Sequence, residues 1–222
     1  LINAFNLPAF EIPGYEADDI IGTIARKASE QGTDTIIVTG DTDTLQLVSP
    51  RVRVLTPRPG KPFSDTVIYD EEAVEKRYEL TPDQLPDFKG LKGDPSDNIP
   101  GVRGIGEKTA TKLIHAFGSI DGMYQHIGEV TPTKTQELLR HNEQAARQSK
   151  ELATIDTNVP IDFNLEACHV SAYERSKVTE LFRELEFSSL LAKLPDTMIE
   201  EEKAAPAVTQ IAREAIDYTL VD

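Results

Sequence analysis

Cysteine is almost missing from this chain. Cys168 is the only one among 222 residues, so no internal disulfide can form and a reducing, cytoplasmic setting is expected. With one cysteine and four scattered histidines, a zinc site is excluded as well. Long apolar runs are absent. No stretch approaches the length of a membrane span and no signal-peptide pattern opens the chain, so no membrane partner is expected. An initiator methionine is lacking too, since the chain opens Leu1-Ile2-Asn3, and a piece of a longer protein is expected. Basic charge is in short supply: 23 Lys and Arg face 38 Asp and Glu, a net charge of −15. That balance argues at first against nucleic acid as a partner. Part of it is local, because residues from Asp196 onward carry −5, leaving −10 on residues 1–195. A chain that gathers carboxylates around metal ions can be acidic overall and still carry a basic stripe.

The remaining composition, 39% hydrophobic and 27% charged, is that of a globular protein of one large domain, or one domain plus a tail. Residues 14–31 predict a helix with Ile20, Ile21 and Ile24 on its apolar face and Gly32 as its stop. Thr35 to Thr39 is a β-branched run of the kind buried in a parallel sheet. Arg51 to Leu55 and Thr66 to Tyr69 predict two more strands, and Asp70 caps a helix running to about Tyr78. After Thr81 helices take over. Thr81-Pro82 starts one, although Pro86 and Gly90 sit awkwardly within it. Further helices are expected over Glu107 to Phe117, Ile120 to His126, Lys134 to Thr154 with a break near His141-Asn142, and Ala172 to Leu194. In the last of these Leu181, Leu185, Leu190, Leu191 and Leu194 mark the packing faces. Residues 196–213 are acidic and Ala-rich and predict a linker, and Ile216 to Val221 predicts a strand.

Acidic residues collect at three turning points of this layout: Glu16, Asp18 and Asp19 near a helix start, Asp41 and Asp43 after the Thr35 strand, and Asp94 and Asp97 in a Pro-Gly-rich turn. Ligand sites in open α/β sheets gather beyond the carboxyl ends of the strands, where Asp41 and Asp43 belong. Hard oxygen ligands suit Mg²⁺ or Mn²⁺. Two such ions roughly 3.5–4 Å apart can serve both the attacking and the leaving oxygen of phosphodiester hydrolysis. Seven carboxylates crowded without cations would repel and raise one another's pKa. The plain alternatives are helix-dipole acids for the first group, loop acids for the second, and a turn former (Asp94) with a cap residue (Asp97) for the third. Glu16 and Asp18 lie about 200° apart on an ideal helix, so not all of the first group can ligate directly without a bend or a bridging water.

The most informative run is Lys92 to Ile114, KGDPSDNIPGVRGIGEKTATKLI. It sets Asp94 and Asp97 directly before Gly101-Val102-Arg103-Gly104-Ile105-Gly106, with Lys108 and Lys112 on the helix that follows. Glycines allow tight turns and close backbone approach, and a helix start offers free N–H groups to phosphate. A dinucleotide-binding reading is disfavoured, because Asn98-Ile99-Pro100 and not a strand precedes the glycines.

This run resembles the helix–hairpin–helix DNA-binding element of the flap endonuclease superfamily. GYEADD, VTGDTDTLQLV and GDPSDNIPGVRGIGEKTA are similar, in order, to the three acidic motifs of the 5′-nuclease family found in bacterial DNA polymerase I. The resemblance runs from about Leu1 to Leu194. It implies an α/β fold: an incomplete PIN/flap-endonuclease-like parallel-sheet core over 1–80, then a helical helix–hairpin–helix DNA-binding region over 81–195. After the linker, 214–222 would open a 3′–5′ exonuclease-like domain. It further implies that Glu16, Asp18, Asp19, Asp41, Asp43, Asp94 and Asp97 hold two or more Mg²⁺ or Mn²⁺ ions, with Asp41, Asp43 and Asp97 closest to the chemistry. Val102 and Ile105 would offer carbonyls to a monovalent cation such as K⁺. Arg103, Gly104, Gly106, Lys108 and Lys112 would touch DNA phosphates.

The implied partners are duplex DNA with a 5′ flap or RNA primer and downstream polymerase domains of the same chain, in a monomeric protein. The family's amino-terminal portion, with its first-strand Asp and basic arch, is missing, so no flap cleavage by residues 1–222 alone is expected. Two rivals stand beside this: a non-catalytic hairpin module for duplex DNA, and a phosphohydrolase with no nucleic acid substrate. The ordered carboxylates argue against the first and the complete hairpin against the second.

Overall fold

The computed structural model describes residues 1–58, 60, 65–169 and 173–195. The linker expected at 196–213, the strand expected within 214–222, and Ala172 lie outside the described residues. Two compact units divide the chain, one spanning Phe10–Leu165 and the other Leu1–Ala9 with the residues from Glu166 onward.

In the larger unit, helix α1 (Ala17–Glu30) begins at Glu16, whose backbone N–H donates to Asp19 Oδ2 at 3.2 Å. It ends before Gly32, which takes φ +80°. Strand β1 (Thr35–Val38) pairs in parallel with β2 (Val52–Pro57), and β3 (Thr66–Tyr69) pairs with β2 in the antiparallel sense. An antiparallel edge on a parallel sheet is common in α/β proteins. The run from Thr35 to Thr39 is less buried than its composition predicts. Ile37 is 5% exposed, but Ile36 is 51% and Val38 64% exposed. Side chains alternate across a strand, and only the face carrying Ile37 meets the core.

Helix α2 (Glu71–Tyr78) is capped as expected, with Ala73 N–H donating to Asp70 Oδ1 at 2.9 Å. The helix expected from Thr81 is a 3-10 turn (Pro82–Gln84) followed by α3 (Leu85–Lys92). Pro86 therefore sits in the first turn of α3, where its missing N–H has no intrahelical partner to lose. Gly90 also has a reason. A Cβ there would lie 2.8 Å from Lys150 Cβ, 2.7 Å from Ile120 Cδ1 and 3.1 Å from the Ala146 carbonyl oxygen. Its absence lets α3 lie close against α7 (Glu143–Ala153), which follows α4 (Glu107–Phe117), α5 (Ile120–Gln125) and α6 (Thr133–His141). The break expected at His141-Asn142 falls between α6 and α7.

One core joins sheet and helices. Ile37, Val54 and Tyr69 from the sheet share it with Phe88, Leu91, Val102, Ile114 and Leu139. Beyond α7 the chain folds back over α1. Asp156 N–H donates to Asp19 Oδ1 at 2.9 Å, Val159 N–H to Thr23 Oγ1 at 3.0 Å, Arg26 Nε to the Thr157 carbonyl at 2.9 Å and Lys27 Nζ to the Ile161 carbonyl at 2.6 Å. Asp19, Thr23, Arg26 and Lys27 recur at helical spacing, so one stripe of α1 serves as the hydrogen-bonding edge for an extended strap. Ile20 and Ile24 pack with Val159 and Ile161 beneath it.

In the smaller unit, α8 (Arg175–Glu184) and α9 (Ser188–Leu191) replace the single helix expected, because Glu186 adopts φ +57° between them. That break shifts the buried face. Val178, Phe182 and Leu194 form the cluster, with Leu191 against it, whereas Leu185 and Leu190 are exposed.

The packing at Gly90 is testable. Gly90→Val should lower unfolding stability by about 2–3 kcal/mol through overpacking against α7. Gly128→Ala, where a Cβ meets nothing within 4 Å, should stay within about 0.5 kcal/mol of wild type. Urea denaturation of both variants measures the contrast.

Candidate metal and nucleic-acid site

Three carboxylates converge from two segments. Asp43 opens the 3-10 turn Asp43–Leu47 that follows β1, while Asp94 and Asp97 lie in the turn after α3. Each offers an oxygen within 4.8 Å of the others, a group of hard donors that could hold a metal ion. The turn is pinched shut at its base, where Asp94 N–H donates to the Ile99 carbonyl at 2.9 Å and Ile99 N–H returns to the Asp94 carbonyl at 2.8 Å. Asn98 takes φ +58° within it. Asp94 also braces the turn, since its Oδ1 accepts from Ser96 N–H at 3.0 Å and from the Ser96 hydroxyl. Asp94 is thus a turn former and a cluster member at once.

The loop carrying Asp41 and Asp43 is braced separately. Asp41 N–H donates to Thr39 Oγ1 at 3.0 Å, and Asp43 N–H to Asp41 Oδ1 at 2.9 Å. Behind it, Gln46 Nε2 donates to the Ala153 carbonyl at 2.9 Å and Gln46 Oε1 accepts from Ile155 N–H at 3.0 Å. That two-way link fixes the turn bearing Asp43 to the end of α7.

The acids of α1 divide. Asp18 feels the electrostatic field of the cluster: its pKa is pushed up to about 6, first by burial and then by the charges of Asp41, Asp43, Glu16 and Asp19. Asp19 spends one oxygen on Glu16 N–H and the other on Asp156 N–H, holding the helix start and the strap. Glu16 stands exposed at the N-cap. Asp18 is the α1 acid whose pKa the charges of Asp41 and Asp43 help to raise.

Lys89 is a site residue that the sequence reading did not single out. Its ammonium lies between the two segments, paired with Asp43 Oδ1 and at 2.9 Å from Asp94 Oδ2. Burial disfavours the charged lysine, but its bonds to Asp43 and Asp94 outweigh that and raise its pKa. The same contact acts in reverse on Asp94. Burial alone would raise it, yet Ser96 and Lys89 hold it down at about 2. Asp43 stays above the usual carboxylate range because burial, with Asp97 beside it, prevails over Lys89. The available signal was a lysine flanked by the apolar Phe88 and Leu91 within five residues of Asp94.

The same connecting segment continues into the hairpin. Val102 N–H donates to the Leu91 carbonyl at 2.8 Å, and Ile105 N–H to the Val102 carbonyl at 2.9 Å. Both side chains are buried, Val102 at 1% and Ile105 at 5% exposure. Gly101, at φ +60°, packs backbone to backbone on Gly93, where a Cβ would come 2.2 Å from the Gly93 nitrogen. Arg103, Gly104, Gly106, Lys108 and Lys112 are exposed on the far side, and Gly104 takes φ +102°. Gly106 is the N-cap of α4 and supplies no side-chain cap, leaving the first amides of that helix to an outside acceptor.

Known proteins share this arrangement of segments. The 5′-3′ exonuclease N-terminal resolvase-like domain matches residues 1–79, and the 5′-3′ exonuclease C-terminal SAM fold matches residues 80–176. DNA polymerase I of Chloroflexus aurantiacus is 52% identical over 202 residues, covering 89% of this chain and 21% of that protein. DNA polymerase I of Bacillus caldotenax is 44% identical over 203 residues, covering 91% of this chain and 23% of that protein. The chain thus spans less than a quarter of the length of these curated relatives. Among solved structures, T5 5′-exonuclease with bound divalent zinc superposes with a TM-score of 0.59 at 23% identity, covering 68% of this chain and 54% of that one. The catalytic core of Rad2 in complex with DNA substrate superposes with a TM-score of 0.57 at 15% identity, covering 86% of this chain and 66% of that one. At these identities the likeness is one of fold.

The charge of Asp18 has a measurable consequence. Its proton is held more tightly in the folded chain than at the ordinary value of 3.8, so its contribution to stability declines as pH rises from 3.8 to about 6. In metal-free buffer Asp18→Asn should therefore melt above wild type at pH 7, with the gap closing toward pH 4. A gap of constant size across that range would show that Asp18 does not sense the cluster.

Proposed function

The chain belongs to the 5′-3′ exonuclease family, and on that premise we propose that it is the metal-dependent, structure-specific 5′-nuclease part of a DNA polymerase I. Its reaction is hydrolysis of phosphodiesters, removing 5′ flaps and RNA primers from duplex DNA in replication and repair. The observation that carries this reading is a juxtaposition. Asp43, Asp94 and Asp97 offer oxygens within 4.8 Å of one another, and two of the three stand on the segment that becomes the hairpin.

The donors fit Mg²⁺ or Mn²⁺, because all are carboxylate oxygens, and burial with Asp97 alongside keeps the Asp43 pKa raised even though Lys89 pairs with it. A pair of such ions, when bound, supplies an activated water and stabilises the leaving oxygen. Asp43, Asp94 and Asp97 would hold one ion, and Asp18 and Asp41, with Glu16 and Asp19 near them in sequence, would serve a second. The protein's own part is positioning. The pinched turn keeps Asp94 and Asp97 in register with Asp43, and the hairpin grips the duplex one turn of chain away.

In that grip the amides around Gly104 and Gly106, with Arg103, Lys108 and Lys112, take phosphate oxygens. The carbonyls of Val102 and Ile105 would hold a K⁺ ion, whose positive charge would favour a DNA phosphate. Contacts of this kind orient a duplex without reading its sequence. A monomer working in the cytoplasm, joined to polymerase domains in the same chain, completes the reading. Among the described residues no helix is long and apolar enough to cross a membrane.

Two experiments test the two halves. The first places this chain in the Chloroflexus aurantiacus polymerase in place of the matching segment and follows a 5′-labelled flap duplex in Mg²⁺. Asp43→Ala and Asp97→Ala should each abolish cleavage and spare affinity measured in Ca²⁺, and near wild-type cutting by either would remove them from the chemistry. The second titrates the hairpin. Gly104→Val forces a side chain into φ +102° and should weaken duplex binding for every sequence alike. Lys108→Ala should lower the salt dependence of binding by about one unit of log–log slope. Unchanged affinity and slope would reduce the hairpin to a structural turn.

A further inference from the structure

We propose that Lys89 is a built-in counter-ion: its ammonium holds the carboxylate site together while the site is free of metal, and it must swing out when a divalent cation enters. The inference rests on the metal-binding reading given above and goes beyond it, since it assigns to one side chain a role in opposition to metal.

The geometry sets ammonium and ion in competition. Lys89 Nζ pairs with Asp43 and, at 2.9 Å, with Asp94. Those two carboxylates, with Asp97, are the group whose oxygens lie within 4.8 Å of one another. Any cation centred among them draws on the carboxylates that Lys89 already engages, and two positive charges at that separation repel. The pairs are also more than surface decoration. Side-chain exposure is 15% for Lys89, 18% for Asp43 and 19% for Asp94, so water and salt screen them poorly.

The helix beneath Lys89 has no freedom to withdraw. Phe88 and Leu91 on either side are 4% and 0% exposed, and Gly90 presses on α7 with no space even for a methyl group. The four-carbon stem of Lys89 is the movable part, and rotating it costs far less than shifting α3. Nearby lysines are committed elsewhere. Lys92 Nζ sits 5.3 Å from the centre of the Phe88 ring, and Lys150 pairs with Asp87 at 2.8 Å. Lys89 is therefore the cation that α3 presents to the cluster.

The direction of the effect separates this role from ordinary support. If Lys89 merely oriented its carboxylates, removing it would weaken metal binding. If it competes, removing it strengthens metal binding, because the ion no longer has to displace a charge. Metal-free stability should move the opposite way, since Asp43, Asp94 and Asp97 are then left to repel one another.

The test uses the whole chain and Mn²⁺ as the probe, with free Mn²⁺ read by electron paramagnetic resonance. Lys89→Met should bind Mn²⁺ about tenfold more tightly than wild type, the size of a typical coupling between competing ligands. Its melting temperature should fall in EDTA and recover in Mn²⁺. Wild type gives a second readout that needs no variant to fold: acylation of Lys89 by an N-hydroxysuccinimide ester, quantified by mass spectrometry against exposed Lys108. Labelling of Lys89 should be slow in EDTA and rise severalfold at saturating Mn²⁺, while Lys108 stays constant. Mn²⁺ binding to wild type with equal or weaker binding to Lys89→Met would overturn the proposal and leave the metal site standing. So would Lys89 labelling that ignores Mn²⁺. Failure of both proteins to bind Mn²⁺ would overturn the proposal together with the metal-dependent function on which it rests.

Discussion

Repulsion among carboxylates is the constraint around which this structure is arranged. Asp43, Asp94 and Asp97 approach one another closely enough to share a cation, and burial first, then the charges of Asp41 and Asp43, push the Asp18 pKa up to about 6. Folding alone would avoid such a gathering, because each charge raises the cost of the next. Lys89 relieves part of it. What remains is an excess of negative charge at the carboxyl end of β1, in partly desolvated surroundings, and on the proposed reading that excess would attract a divalent cation.

Holding mutually repelling groups in place requires a stiff frame. The frame here is made by close backbone approach and by hydrogen bonds between segments far apart in sequence. Gly90 seats α3 on α7, Gln46 ties the Asp43 turn to residues 153 and 155, and the strap over α1 is secured by Asp19, Thr23, Arg26 and Lys27. Buried Ser149 on α7 accepts from Gly101 N–H at 3.0 Å, so the helix that braces α3 also braces the hairpin. The proposed metal site and the proposed DNA grip thereby share one continuous support, α3 and the segment leaving it.

Much of this was legible in the sequence where a local rule governs. The helix over Glu107 to Phe117, the Asp70 cap and the break at His141-Asn142 follow from periodicity, capping chemistry and spacing, whereas the order of the acidic motifs was read from a family resemblance. What escaped was decided by partners distant in the chain. The strap has no periodic signature because its bonds run from its backbone to α1. The exposure of Ile36 and Val38 depends on which sheet face is covered, which β-branched composition does not encode. The left-handed Glu186 splits the last helix with no glycine to announce it. Gly90 is explained only by the neighbours of α3, and Pro86 by the preceding 3-10 turn that makes α3 begin at Leu85. Lys89 was hidden for the same reason: a lysine reads as a solvated charge until two carboxylates from separate segments are seen to meet it.

The central claim is that these carboxylates exist to hold divalent metal, and locating the metal tests it most directly. Crystals of the chain soaked in MnCl₂ and measured at the manganese absorption edge should show an anomalous peak among the oxygens of Asp43, Asp94 and Asp97, with the Lys89 ammonium displaced from them. An absent peak, or manganese bound only at the exposed acids of the surface, would contradict the account.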